Sequence, residues 1–167
     1  EGIRPEHIIV SGQSAGGGLC LALLLKIKEN NISQPLGAVA LSPWTDLSQS
    51  GETMKKNEKI DPVISKKYLD RFAKLYFPDL SNMSHLASPI IGEFSGLPDI
   101  LIQVGSAETM LDDSTCFYEK AKKENVNAKL EIWEDMFHGW HANAHILKDA
   151  EDSIKSIGKF CTNLFKK

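Results

Sequence analysis

The stretch that decides the fold is His7-Ile8-Ile9-Val10-Ser11-Gly12-Gln13-Ser14-Ala15-Gly16-Gly17-Gly18, followed by an apolar helical pattern to about Glu29. An apolar run, a glycine-bounded turn and a helix indicate a strand-to-helix connection. The turn matches G-x-S-x-G, in which a sharp bend lifts the serine hydroxyl above the end of the strand. Glycines flank the serine because larger side chains would clash there. The pattern predicts that Ser14 is a nucleophile and that the N–H of Ala15 binds an oxyanion.

The same glycines also suit a turn that binds phosphate at the start of a helix. A phosphate loop requires G-x-x-x-x-G-K-[ST], but no lysine occurs before Lys26. A dinucleotide-binding turn requires G-x-G-x-x-G, and position 14 is a serine. The residues and their context therefore favour the nucleophile over the phosphate site.

Strand and helix patterns alternate along the whole chain. Continuous apolar runs are typical of parallel strands that are covered on both faces, and alternating polar residues indicate an edge strand. The further strands are predicted at Gly37–Leu41, Asp99–Val104 and, as the edge, Ala128–Trp133; the further helices are predicted at Lys66–Phe77, about Asp113–Glu124 and about His145–Phe165. This order predicts an α/β fold with a mainly parallel sheet and flanking helices, in one domain over residues 1–167.

Composition and charge exclude several classes of protein. The 167 residues contain 19 Lys and Arg against 22 Asp and Glu, a net charge of −3, so a nucleic-acid partner is not expected. The longest apolar run, Leu19–Leu25, is too short to span a membrane. We interpret Cys20, Cys116 and Cys161 as small buried residues of a reducing compartment, which predicts a cytoplasmic protein without disulfides.

A serine nucleophile needs a base, and His138 is the first candidate. It lies in Phe137-His138-Gly139-Trp140, after the strand that ends near Trp133. Loops after the carboxyl ends of parallel strands gather at one edge of the sheet, which would bring His138 to Ser14. His141 is the competitor, whereas the other histidines are less well placed: His7, His85 and His145.

The acid that orients the base should follow the strand ending at Val104. Glu108, Asp112 and Asp113 all stand there, and the last two also suit the start of the next helix. Spacing alone leaves the choice open between Glu108 and Asp112. Either acid gives the chain order serine, acid, histidine, which is the order of α/β-hydrolases.

Several segments together resemble the hormone-sensitive-lipase-like branch of the α/β-hydrolase carboxylesterases. They are Gly12-Gln13-Ser14-Ala15-Gly16-Gly17, Leu41-Ser42-Pro43-Trp44-Thr45-Asp46, Ser88-Pro89-Ile90 with Ser95-Gly96-Leu97-Pro98, the stretch from Val104 to Ser114, and Phe137-His138-Gly139-Trp140. In this family the catalytic acid begins a D/E-x-L-x-D stretch about thirty residues before the histidine. Glu108-Thr109-Met110-Leu111-Asp112 fits that stretch, with Met in place of Leu, so the resemblance favours Glu108 as the acid.

The resemblance implies a serine carboxylesterase that hydrolyses small acyl esters without a metal or organic cofactor. It also implies that residues 61–77, approximately, form part of a cap over the site. Trp44 is expected either to line the pocket or to belong to the core.

Two features depart from the family pattern. Gln13 replaces the usual aspartate before the nucleophile, which removes one charge. The H-G-G-G oxyanion loop is absent, so we expect the chain to be the C-terminal portion of a longer hydrolase, with only Ala15 as an oxyanion donor.

Two other functions remain open at the level of sequence. One is a peptidase of the same fold, of the prolyl-oligopeptidase type. The other is a non-catalytic ligand-binding module, such as the gibberellin receptor, although such a module does not need His138.

Overall fold

Four parallel strands form the sheet of the computed structural model, which describes residues 2–166. The strands lie side by side in chain order, and Val39 of the second strand pairs with Leu101 of the third. They are β1 (Ile9–Gln13), β2 (Gly37–Leu41), β3 (Asp99–Gly105) and β4 (Ala128–Trp133). The predicted α/β fold with a parallel sheet is therefore confirmed, and β4 lies at an edge as expected.

Between residues 2 and 166, five α-helices connect or follow the strands. They are α1 (Ala15–Glu29), α2 (Thr53–Lys56), α3 (Lys66–Tyr76), α4 (Leu111–Lys123) and α5 (Lys148–Leu164). The single turn of α2 has no clear periodicity and was not predicted from the sequence. The predicted start of the last helix near His145 is also wrong, because a 3-10 turn, Trp140–Asn143, precedes α5.

The main core lies between α1, α4 and the central strands. Leu21 and Leu24 of α1 are fully buried there, and Phe94 stacks on Phe117 with ring centroids 4.3 Å apart. The three- and four-residue spacing of Leu19, Leu23, Leu24 and Ile27 predicts that these side chains share one apolar face of α1. Leu24 is buried, but Leu19 and Leu23 are exposed among the described residues.

Close packing of α1 against the loop after β2 explains which face is buried. A Cβ on Gly18 would lie 2.1 Å from the carbonyl oxygen of Trp44, so only glycine fits at this contact. The glycine face of the helix must therefore turn toward the loop, and this rotation leaves Leu19 and Leu23 outside.

The three cysteines differ in exposure. Cys20 is buried, and burial raises the pKa of its thiol to about 11. Cys161 is half-buried and Cys116 is exposed, so the prediction of burial holds only for Cys20. Within residues 2–166 the three thiols are free, and no helix is both long and apolar enough to cross a bilayer.

Candidate active site

Ser14 lies at the sharp turn between β1 and α1. Its φ of 56° and ψ of −124° are strained values for a residue with a side chain. Backbone hydrogen bonds hold the turn, since Ser14 N–H donates to the Leu41 carbonyl at 2.9 Å and Trp44 N–H donates to the Ser14 carbonyl at 3.0 Å. Ala15 begins α1, so its N–H has no acceptor within the helix and can bind an anion.

Gly12 is required for this turn by close backbone contact. A Cβ at position 12 would lie 2.0 Å from the carbonyl oxygen of Gly16, whereas a Cβ at Gly16 meets nothing within 4 Å. The two glycines therefore serve different purposes, although both belong to the same motif.

We expect Gly12→Ala to lower the free energy of unfolding by about 3 kcal/mol or more, because the backbone must shift to admit the methyl group. Gly16→Ala is the matched control and should change stability by less than about 1 kcal/mol, since the helix gains propensity without a clash. Urea denaturation of both variants measures the difference. Equal midpoints for the two would contradict the steric argument.

His138 bridges Ser14 and Glu108. Its Nε2 lies 2.9 Å from Ser14 Oγ, and its Nδ1 lies 2.9 Å from Glu108 Oε2. The histidine is 6% exposed and the glutamate is fully buried, so water screens the electrostatic interaction between the two side chains poorly. The three residues follow β1, β4 and β3, which end at the same edge of the sheet. The structure thus brings together the three side chains that the sequence analysis selected.

The carboxylate of Glu108 is held on both oxygens. Oε1 accepts hydrogen bonds from Ser42 Oγ at 2.6 Å and from Gly105 N–H at 2.7 Å, which leaves Oε2 for His138. The Asn57 side chain donates to the backbone carbonyl of Glu108 at 2.9 Å and so fixes the loop. Sequence reasoning did not single out Ser42 or Asn57, although the position of Ser42 directly after β2 was an available signal.

Asp112 and Asp113 make other contacts. Asp112 and Thr53 bond reciprocally, since each backbone N–H donates to the other side chain at 3.0 Å. Asp113 Oδ2 accepts from the N–H groups of Thr45 and Asp46, at 2.7 and 2.8 Å. Of the three candidate acids, Glu108 is the one that contacts His138, and the two aspartates join α4 to the segments after β2.

Asp113 gives stability an unusual pH dependence. Complete burial raises its pKa to about 7, against the opposing effect of the two N–H donors. The folded state therefore keeps a proton that the unfolded state loses above the ordinary aspartate pKa of 3.8. This group thus destabilises the fold progressively as pH rises from about 4 to 7.

Asp113→Asn should remove this dependence. We expect the difference in unfolding free energy between wild type and variant to change by a few kcal/mol across this range, with wild type losing relative stability as pH rises. Denaturant titrations at several pH values measure it. A constant difference from pH 4 to 7 would contradict the shifted pKa.

His141 is placed away from the nucleophile. Its ring stacks on Trp140 with centroids 4.1 Å apart, and neither ring nitrogen has a hydrogen-bond partner among the described residues. Burial, with a smaller effect from His138, lowers its pKa to about 4. His85 pairs with Glu29 at 2.6 Å, away from the candidate site. His138 is thus the histidine that lies within hydrogen-bond distance of Ser14.

An apolar cavity of about 670 Å³ opens beside Ser14. The lining includes Leu69, Phe72, Leu75 and Tyr76 of α3, together with Trp44 and Leu47 from the loop after β2. Trp44 also packs against Met54, Leu69 and Met110, so it belongs both to the cavity lining and to a small core cluster. Within residues 2–166, no group of three His, Cys, Asp or Glu side chains is arranged to hold a metal ion.

Comparisons with known proteins agree with this geometry. A family model described as alpha/beta hydrolase fold matches residues 1–142. The chain is 34% identical over 165 residues to an esterase of Acinetobacter venetianus, covering 98% of this chain and 54% of that protein. It is 33% identical over 160 residues to an acetyl-hydrolase of Streptomyces hygroscopicus, covering 96% of this chain and 54% of that protein.

A solved structure extends the likeness to three dimensions. A crystal structure of an esterase from the bacterial hormone-sensitive lipase family superposes with a TM-score of 0.92 at 39% identity, covering 95% of this chain and 54% of that one. The chain thus spans about half the length of the relatives that it matches.

Proposed function

The chain belongs to the alpha/beta hydrolase fold family, in its hormone-sensitive-lipase-like branch, and from this membership we propose that it carries the catalytic residues of a serine carboxylesterase. The observation that carries the proposal is the continuous hydrogen-bonded series from Ser14 Oγ through His138 to Glu108. The names of the relatives, an esterase and an acetyl-hydrolase, support small acyl esters as the substrate class.

Acylation begins at Ser14. His138 Nε2 takes the hydroxyl proton while Oγ attacks the ester carbonyl carbon, and the Ala15 N–H stabilises the negative oxygen of the tetrahedral intermediate. The carbonyl then reforms, the bond to the alcohol oxygen breaks, and His138 gives its proton to the departing alcohol.

Deacylation repeats the same steps with water. His138 takes a proton from a water molecule as the water oxygen attacks the acyl-enzyme carbonyl. Collapse of the second intermediate breaks the bond to Ser14 Oγ, which receives the proton from His138 as the carboxylic acid leaves. No metal ion or organic cofactor takes part in this scheme.

Glu108 orients the base and stabilises its charged form. Because its carboxylate accepts from His138 Nδ1–H, the proton-accepting lone pair stays on Nε2, facing Ser14. Ser42 and the Gly105 N–H hold the carboxylate itself and so act as positioning groups.

The acyl group is proposed to occupy the apolar cavity beside Ser14. We further propose that residues 61–77 form part of a cap, since side chains of α3 line that cavity. Tyr68, Phe72, Leu75 and Tyr76 are all more than half exposed among the described residues, and the last three line the cavity.

A substrate panel tests the function. The natural protein that carries this sequence is assayed with p-nitrophenyl esters of acetate, butyrate, octanoate and decanoate, and with peptide p-nitroanilides. We expect hydrolysis of the short esters and little cleavage of peptides. Faster turnover of peptides would favour a peptidase of the same fold, and binding without any turnover would favour the non-catalytic module.

A further inference from the structure

The apolar cavity and His138 define two different sides of Ser14. Among the described residues, the cavity lining includes Ser14, Ala15 and Gly16 but neither His138 nor Gly139. His138 must return a proton to the leaving oxygen, so the alcohol portion of the ester lies on the histidine side. The acyl portion then points into the cavity, and the group that recognises the alcohol must be sought beside His138.

Gln13 occupies this position. It is the last residue of β1, directly before Ser14, and its side chain is exposed. A Cβ built on Gly139 would lie only 2.9 Å from Gln13 Nε2, so the carboxamide lies close to Gly139. Gly139 directly follows His138 in the chain. The carboxamide therefore lies against the backbone of the histidine loop, on the side that the cavity lining does not include.

The Gln13 carboxamide is also chemically available. Within residues 2–166 it makes no hydrogen bond to another protein group, although it carries two donors and one acceptor. The nearby carboxylate of Glu108, in contrast, is fully buried and occupied by its three donors. Among the described residues, Gln13 is thus a neutral polar group that lies next to both Ser14 and the loop of His138.

We propose that Gln13 contacts the alcohol portion of the ester and determines its charge preference, so that neutral alcohols are hydrolysed more efficiently than cationic or anionic ones. A neutral amide gives no Coulombic attraction to either sign, while it can exchange hydrogen bonds with a hydroxyl or carbonyl on the alcohol. This inference rests on the proposed function, because it assumes that Ser14 and His138 perform the reaction.

Three butyryl thioesters with matched thiols test the preference. The thiols are 3,3-dimethylbutanethiol, which is neutral, thiocholine, which is cationic, and 2-mercaptoethanesulfonate, which is anionic. Released thiol is measured with a chromogenic disulfide, and kcat/KM for each charged thioester is divided by that of the neutral one. The variants are Gln13→Glu and Gln13→Lys, with Asn30→Asp as the control because it adds an exposed negative charge at the far end of α1.

We expect Gln13→Glu to raise the cationic-to-neutral ratio by about three- to tenfold and to lower the anionic-to-neutral ratio similarly, with Gln13→Lys reversing both signs. Asn30→Asp should leave both ratios unchanged. Ratios equal to wild type in both Gln13 variants, with turnover that still depends on Ser14, would overturn this inference alone. If the wild-type protein shows no Ser14-dependent turnover, the proposed function fails and this inference fails with it.

Discussion

Ser14→Ala is expected to lower kcat for ester hydrolysis by about 10⁴–10⁶-fold, to the level that binding and oxyanion contacts alone provide. The variant lacks the oxygen that lies 2.9 Å from His138 Nε2, so the proposed acyl-enzyme cannot form. Its fold should be retained, because the turn is held by backbone hydrogen bonds of residue 14. Steady-state kinetics with p-nitrophenyl butyrate and labelling by a fluorophosphonate measure the loss.

Ser11→Ala is the control for this change, since Ser11 is an exposed serine of the same strand. It should retain activity and fluorophosphonate labelling. If Ser14→Ala kept its activity to within tenfold of wild type, or was still labelled at the same rate, another residue would be the nucleophile.

Glu108→Gln is expected to lower kcat by about 10³–10⁴-fold while leaving the neighbouring contacts nearly unchanged in shape. A carboxamide can donate to His138 Nδ1, which would move the ring proton to Nε2 and leave no lone pair facing Ser14. It also removes the negative charge that stabilises the imidazolium. The pH dependence and magnitude of kcat, measured with the same ester, report this loss.

Asp112→Asn tests which of the two acids, Glu108 or Asp112, acts with His138, a choice that spacing alone left open. Asp112 contacts Thr53 rather than His138, so its variant should keep kcat to within about tenfold and lose only part of a helix contact. Thermal unfolding should show that modest loss. Should Asp112→Asn and Glu108→Gln reverse these roles, the acid would be Asp112 and the His138–Glu108 contact would be without catalytic importance.

The strands and the nucleophile turn could be predicted because both depend on residues that are neighbours in the sequence. Continuous apolar runs predicted β2 and β3, and G-x-S-x-G between a strand and a helix predicted the turn at Ser14. Since parallel strands end at one edge, placing Ser14 and His138 together also followed from their order in the chain.

Features that depend on contacts distant in sequence were not predictable in the same way. The buried face of α1 depends on how closely Gly18 approaches Trp44, which periodicity does not reveal. Glu108 lies in the loop after β3, and Asp112 lies only four residues later, in the first turn of α4. Because the two acids are so close in the sequence, spacing alone left the choice between them open. Ser42 and Asn57 act by hydrogen bonds across 66 and 51 residues. The position of Ser42 directly after β2 indicated that it lies near the site, but no local pattern indicates that either residue binds Glu108.

The proposed catalytic side chains and the cavity residues come from different parts of the fold, and this separation has an evolutionary consequence. Ser14, Glu108 and His138 follow three different strands, whereas Trp44, Leu47 and the cavity residues of α3 all belong to the long connection between β2 and β3. Changes confined to the cavity positions of α3 can therefore remodel the apolar wall, whereas Ser42 and Asn57 of the same connection must stay in place because they hold Glu108. Under the proposed function, a lineage built on this plan can diversify in the molecules that it accepts while it keeps the proposed reaction.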